Sequence, residues 1–113
     1  MHVKRFAEAK PYEAPNHRGV VGLRLQGFEP GGPGNQWVGF SQFLPGGAGP
    51  DATPFEKVYV VLEGQMTITL GPHTYALDPG DCLHMHPDRA GITFRNPAAT
   101  PARYAVILTL KAA

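Results

Sequence analysis

Glycine and proline divide this chain into short segments, and this spacing restricts the fold more than any other feature of the sequence. The 14 Gly and 12 Pro lie between apolar runs and form no repeats. Within those runs, alternating and β-branched residues recur, and no window of a dozen residues keeps apolar residues at helical spacing. Short runs of this kind, bounded by turn residues, predict an all-β chain with essentially no helix.

Eight segments are predicted to be strands, and turn residues separate them at regular spacing. That spacing predicts an antiparallel β-barrel or jelly roll, with residues 1–113 as one domain. Residues 3–6 are expected to form an exposed edge strand, and residues 45–54 a loop at the rim of a pocket. The predicted strands are residues 19–27, 36–44, 57–62, 65–70, 73–77, 82–86, 92–95 and 103–110.

Charge and composition argue against several classes of partner. The formal net charge is +1 and the basic residues are scattered, so the chain lacks the clustered Lys and Arg that bind nucleic acid. No segment reaches the roughly 20 apolar residues of a membrane-spanning helix, so we expect no membrane partner. Cys82 is the single cysteine and cannot form an internal disulfide. With no signal peptide evident, the expected location is cytoplasmic.

Two motifs resemble those of the cupin superfamily. Residues 45–64 include Pro-Gly-Gly followed by FEKVYVVLEG, similar to the first cupin motif. Residues 77–96 open with LDPGD and close with Phe-Arg-Asn, similar to the second. The resemblance implies a cupin double-stranded β-helix, an antiparallel barrel with a central pocket.

The resemblance also implies a metal site that this sequence lacks. Cupins bind a divalent metal through two histidines and a glutamate of the first motif and a histidine of the second. Here Asp51 and Thr53 stand at the first two histidine positions, Lys57 at the glutamate position, and Ile92 or Gly91 at the last histidine position. None of the expected ligands is present, so we expect no cofactor and a substituted metal site.

Lys57 is therefore the main candidate for pocket chemistry. A lysine in place of a metal ligand puts a cation where a metal cation would lie, and it could hold a carboxylate, phosphate or enolate, or act as an amine base. Tyr59 shares its face of the strand, and His84 is the other candidate acid–base group. The predicted catalytic residues are Lys57, Tyr59 and His84, and the predicted ligand-binding residues are His17, Asp51, Thr53, Glu56, Lys57 and Tyr59.

His84 and His86 support an alternative prediction. They lie two apart on a predicted strand, so both point to one face, as does Cys82, and this spacing can chelate a metal. With His17 as a third ligand, they could form a relocated divalent-metal site. Alternatively, Leu83 and Met85 face the core, and the two histidines face outward or line a subunit contact.

Three functional classes follow. The first is a metal-independent isomerase, cyclase or lyase that binds a small polar or anionic metabolite. The second is a metal enzyme with displaced ligands at His84 and His86. The third is a non-catalytic module that binds a small ligand, since the fold alone does not choose between them. Exposed edge strands and the resemblance to small cupins predict a homodimer.

Overall fold

The computed structural model describes residues 3–12, 17–27, 33–51, 55–86 and 92–109. These residues form nine strands and one 3-10 turn, Phe6–Glu8. No helix among them is long and apolar enough to cross a membrane. The strands are β1 (Lys10–Tyr12), β2 (Arg18–Gln26), β3 (Gln36–Asp51), β4 (Glu56–Glu63), β5 (Met66–Leu70), β6 (His73–Leu77), β7 (Cys82–Met85), β8 (Ile92–Arg95) and β9 (Ala102–Thr109).

All strand pairs are antiparallel, and the sheet curls into a nearly closed barrel. Strand order is β6-β5-β8-β3-β9-β4-β7, with β2 also on β3 and β1 outside β2. The first half of β3 pairs with β2 and β9, while its last four residues pair with β8. Strand β3 therefore belongs to both facing walls of the barrel, and the predicted all-β barrel is confirmed.

The bend in β3 corrects the predicted loop over residues 45–54. Residues 45–51 continue the strand instead of leaving it, because Gly46 takes a left-handed conformation with φ 79° and turns the chain without ending the sheet. The Gly46 N–H donates to the Asn96 carbonyl at 3.0 Å, and the Asn96 N–H donates to the Gly47 carbonyl at 2.9 Å. The predicted edge strand over residues 3–6 is also wrong, since Phe6–Glu8 is a 3-10 turn.

The core lies between the two walls and is rich in aromatic side chains. Phe43 is fully buried at the bend, and Tyr104 lies beside it with a ring-centroid distance of 5.6 Å. The ring of Tyr59 packs against that of Phe94 on the opposite wall, with a centroid distance of 4.8 Å. Burial of each such side chain stabilises the fold by about 1.5–3 kcal/mol. The buried apolar residues are Trp37, Phe43, Tyr59, Val61, Met66, Ile68, Met85, Ile92, Phe94, Ala102, Tyr104 and Val106.

Two independent features of the structure require glycine at position 64, in the turn between β4 and β5. Its φ is 76°, which side chains rarely adopt. A Cβ there would also lie 2.5 Å from the Pro101 carbonyl oxygen. Gly71, in the next turn, has φ 57° but open space around the position of a Cβ.

These two turns allow a matched test of backbone packing. We expect Gly71→Ala to cost about 1 kcal/mol for the left-handed conformation alone. Gly64→Ala should cost about 1–3 kcal/mol more, because the backbone of residues 101–102 must move away. The free energy of unfolding in urea measures both variants, and equal losses would contradict the close approach at Gly64.

Candidate functional site

Strand β4 points Lys57 into the barrel. Along β4, Lys57, Tyr59 and Val61 are buried, and they alternate with the more exposed Glu56 and Leu62. Only 5% of the Lys57 surface is exposed. Because side chains alternate along a strand, Lys57 shares the inner face with Tyr59. A buried ammonium group requires compensating interactions, so this position makes Lys57 the most unusual residue of the interior.

Pairing registers place Lys57 in the row of side chains at the open end of the barrel. Its cross-strand partners are Met85 of β7 and Leu108 of β9, and Leu108 in turn pairs with Trp37 of β3. Asp51 ends β3 on the opposite wall, and only residues 52–55 separate it from β4. The end that carries Lys57 is thus opposite the closed end, where β3 bends.

Deeper than Lys57, the two walls enclose a narrow apolar cavity of ≈ 10 Å³, which has room for about one water molecule. The rings of Tyr59 and Tyr104 form one side, with centroids 5.2 Å apart. The surface of this cavity is entirely apolar. The lining residues are Tyr59, Val61, Met66, Ile68, Leu77, Phe94 and Tyr104.

His17 precedes β2 and lies against the inner wall. It is half-buried, and its ring is 6.0 Å from that of Phe43. The ring also occupies the space that a Cβ at Gly49 would need. His17 therefore lies on the same side of the sheet as Lys57 and Tyr59.

His84 and His86 lie on the outer face. Both are exposed, their ring centroids are 4.7 Å apart, and Cys82 is exposed on the same strand. His84 Nε2 lies 2.9 Å from the Glu56 carboxylate, which also faces outward. The structure brings Lys57 and Tyr59 together and places His84 and Glu56 on the other side of the sheet. His84 therefore cannot act on a ligand held beside Lys57.

Metal ligation does not fit the residues at the positions where the resemblance to cupins implies metal ligands. Lys57 presents an ammonium group with no lone pair when protonated, and Ile92 presents a buried hydrocarbon side chain. Among the described side chains, no three His, Cys, Asp or Glu residues form a group that could hold an ion. Thr53 lies outside the described residues, as does the Asp51 side chain, so the ligand-binding roles expected of both stay predictions.

A second set of polar side chains on the inner face, which consists of Tyr12, Ser41 and Arg24, was not predicted from the sequence. Tyr12 of β1 has its hydroxyl 3.4 Å from the Ser41 hydroxyl and its ring 5.0 Å from that of Trp37. Arg24 of β2 pairs with Gly39 in the row that contains Tyr59. Alternation along β2, where Arg24 shares a face with Gly22, could have placed Arg24 inside. A three-residue strand such as β1 gives no such signal.

Fold and site together define a small barrel of the cupin type with a buried lysine on its inner face. The Cupin_2 family model, described as "Cupin domain", matches residues 39–108. The chain belongs to this family, which confirms the resemblance of the two motifs.

Similar proteins agree with this assignment. The β-D-galactosidase Rv1717 of Mycobacterium tuberculosis is 41% identical over 86 residues, which are 75% of this chain and 74% of that protein. The polyketide cyclase RemF of Streptomyces resistomycificus has a TM-score of 0.82 at 20% identity, covering 98% of this chain and 80% of the other. An RmlC-like cupin of Shewanella frigidimarina has a TM-score of 0.76 at 16% identity, covering 98% and 92%. The two structural likenesses establish the fold alone.

Burial makes Tyr12 a pH-sensitive part of the inner face. Desolvation raises the pKa of its phenol above the ordinary value near 10, and the Ser41 hydrogen bond and the Arg24 charge only partly oppose the rise. A raised folded-state pKa means that the Tyr12 contribution to stability is complete below the unfolded pKa and is lost as pH rises above it. Between about pH 9 and pH 11, the wild type should therefore lose more stability than Tyr12→Phe. Urea unfolding across this range measures the difference, and parallel curves would contradict it.

Proposed function

We propose that this cupin binds a small polar or anionic metabolite inside the barrel and acts on it without a metal. Lys57 supplies the positive charge at the open end, and Tyr59 supplies a hydroxyl on the same face. The observation that carries the proposal is the 5% exposure of Lys57 on the inner face. In a water-poor site, a fixed cation stabilises negative charge far more than it would in bulk water.

The chemistry available to these residues is proton transfer and charge stabilisation. The Lys57 ammonium group can hold a carboxylate of the ligand or stabilise an enolate as it forms. Tyr59 Oη can donate a proton to, or accept one from, a ligand atom within hydrogen-bond distance of it. Such a pair suits isomerisation, cyclisation or elimination. The homodimer and the cytoplasmic location expected from the sequence stay predictions.

Lys57→Met tests the role of the buried cation. Thermal denaturation is measured with D-galactose, D-galacturonate, D-galactose 1-phosphate and succinate as ligands. A ligand at 100 times its Kd stabilises the folded state by about 2.7 kcal/mol. We expect at least one of these compounds to raise the Tm of the wild type, and Lys57→Met to abolish that rise.

The control is Arg95→Met, which removes one positive charge from an exposed position of β8. It should keep the full ligand response. Lys57→Met must still unfold cooperatively without ligand, so that a lost ligand response reports on the pocket and not on the fold. A full ligand response in Lys57→Met would refute the pocket cation.

A second function, β-galactoside hydrolysis, is favoured by the 41% identity to a protein named β-D-galactosidase. Most glycosidases need two carboxyl groups beside the scissile bond. Among the described side chains, every Asp and Glu is exposed, so the described part of the inner face presents no such pair. We therefore rank hydrolysis below metabolite binding at Lys57.

Release of p-nitrophenol from its β-D-galactoside tests this second function. If the chain is a β-galactosidase, the β-anomer should be hydrolysed faster than the α-anomer, and Lys57→Met should lower the rate. Glu56→Gln should leave the rate unchanged, because Glu56 lies on the outer face. No release above the uncatalysed rate would exclude hydrolysis and leave the binding proposal in place.

A further inference from the structure

The inner face carries a second basic side chain that the proposed mechanism does not use. Arg24 is half-buried on β2, and its Nε atom is buried. It lies in register with Gly39, and Gly39 lies in register with Val106, which pairs with Tyr59. Cross-strand partners point to the same face, so Arg24 and Tyr59 face the same interior.

The groups next to Arg24 are hydrogen-bond donors. The Tyr12 phenol stays protonated through the physiological range, since burial raises its pKa. Its hydroxyl and that of Ser41 are within 3.4 Å of each other, and Ser41 is 3% exposed. A guanidinium group adds five N–H donors in a planar fork, more than any one partner can use. Donor-rich, partly buried surroundings of this kind suit an oxyanion.

Arg24 and Lys57 lie on adjacent rows of one concave surface. Two strands, β3 and β9, separate β2 from β4, which places the two backbones about 14 Å apart at the usual strand spacing. Gly39 lies between them and has no side chain, and the Trp37 ring and the Val106 side chain occupy the space above it. Two long basic side chains that point into the same interior from one concave surface can contact one small ligand.

We propose that Arg24 is a second ligand-binding residue of the barrel and that the ligand carries an oxyanion group, a carboxylate or a phosphate. Arg24 contacts the oxyanion through its planar fork, with the hydroxyl groups of Tyr12 and Ser41 beside it. Lys57 binds the same ligand from β4. This inference rests on the proposed function at Lys57, and it narrows the ligand from polar molecules in general to anionic ones.

Matched sugars and matched variants test the inference. D-galactose, D-galacturonate and D-galactose 1-phosphate share one ring and differ in charge, so calorimetric Kd values isolate the contribution of the anion. We expect the wild type to prefer one or both anionic sugars over galactose, and that preference to weaken as salt rises. The better of the two anions distinguishes a carboxylate site from a phosphate site.

Arg24→Gln should weaken binding of the preferred anion by about tenfold or more, as expected for loss of a hydrogen bond to a charged group. It should change galactose binding by less than about twofold, because galactose carries no charge for the guanidinium to bind. Arg24→Lys keeps the positive charge without the planar guanidinium group and should give an intermediate loss of affinity for the anion. If Arg24→Gln does not fold, Arg24→Lys tests the same role. Arg18→Gln, at the exposed start of the same strand, is the control and should bind like the wild type.

The outcomes separate this inference from the function on which it rests. Equal affinity for galactose and both anions would overturn the role of Arg24 and leave a polar-ligand pocket intact. The role of Arg24 would also be overturned if Lys57→Met lost binding of the preferred anion and Arg24→Gln kept it. If the wild type binds none of the three sugars and does not bind succinate, the proposed function and the inference fail together.

Discussion

A single buried amide side chain holds the barrel together at its closed end. Asn96 is fully buried, and its Nδ2 donates to the carbonyls of Phe43 at 2.9 Å and Thr100 at 2.8 Å. Its Oδ1 accepts from the Ala98 N–H at 3.1 Å. An apolar side chain here would leave the buried Phe43 carbonyl without this bond, at about 1–3 kcal/mol, and would remove the two part-buried bonds at Thr100 and Ala98. Asn96 thus ties the bend of β3 to the connection between β8 and β9.

The bend in turn determines where the chemistry lies. Because β3 folds back at Gly46, its Trp37 end and its Asp51 end both lie at the open end of the barrel. Strand β4 starts there, after residues 52–55, so its first inward side chain is the one nearest the opening. That side chain is Lys57. The position of Lys57 near the open end thus follows from the fact that β3 belongs to both walls.

The sequence predicts most of the strands because alternation and turn residues are local signals. Strands β6 and β8 begin and end where they were expected. The extension of β3 was missed because Pro-Gly-Gly is typical of a turn, and only long-range contacts, the hydrogen bonds with Asn96 and the pairing with β8, show that the strand continues. Contacts with Asn96 span about fifty residues, a distance over which a sequence pattern carries no information.

The site was predictable only in part, for the same reason. The inward direction of Lys57 follows from its motif and its neighbours on β4. The outward direction of His84 follows from alternation once the face of Leu83 is known, but the sequence alone leaves both orientations open. Tyr12 and Ser41 are 29 residues apart, and neither belongs to a motif. Their proximity to Arg24 is visible only after β1, β2 and β3 are aligned.

Substitutions at two glycines would change the shape of this interior. The rings of Tyr12 and Trp37 lie over Gly22 and Gly39, in space that a methyl group at either position would take. Replacement of either glycine by alanine would push an aromatic ring toward the centre of the barrel and reduce the room for a ligand. Related chains can therefore diverge in ligand size through positions that never contact the ligand, while every charged group of the interior is retained.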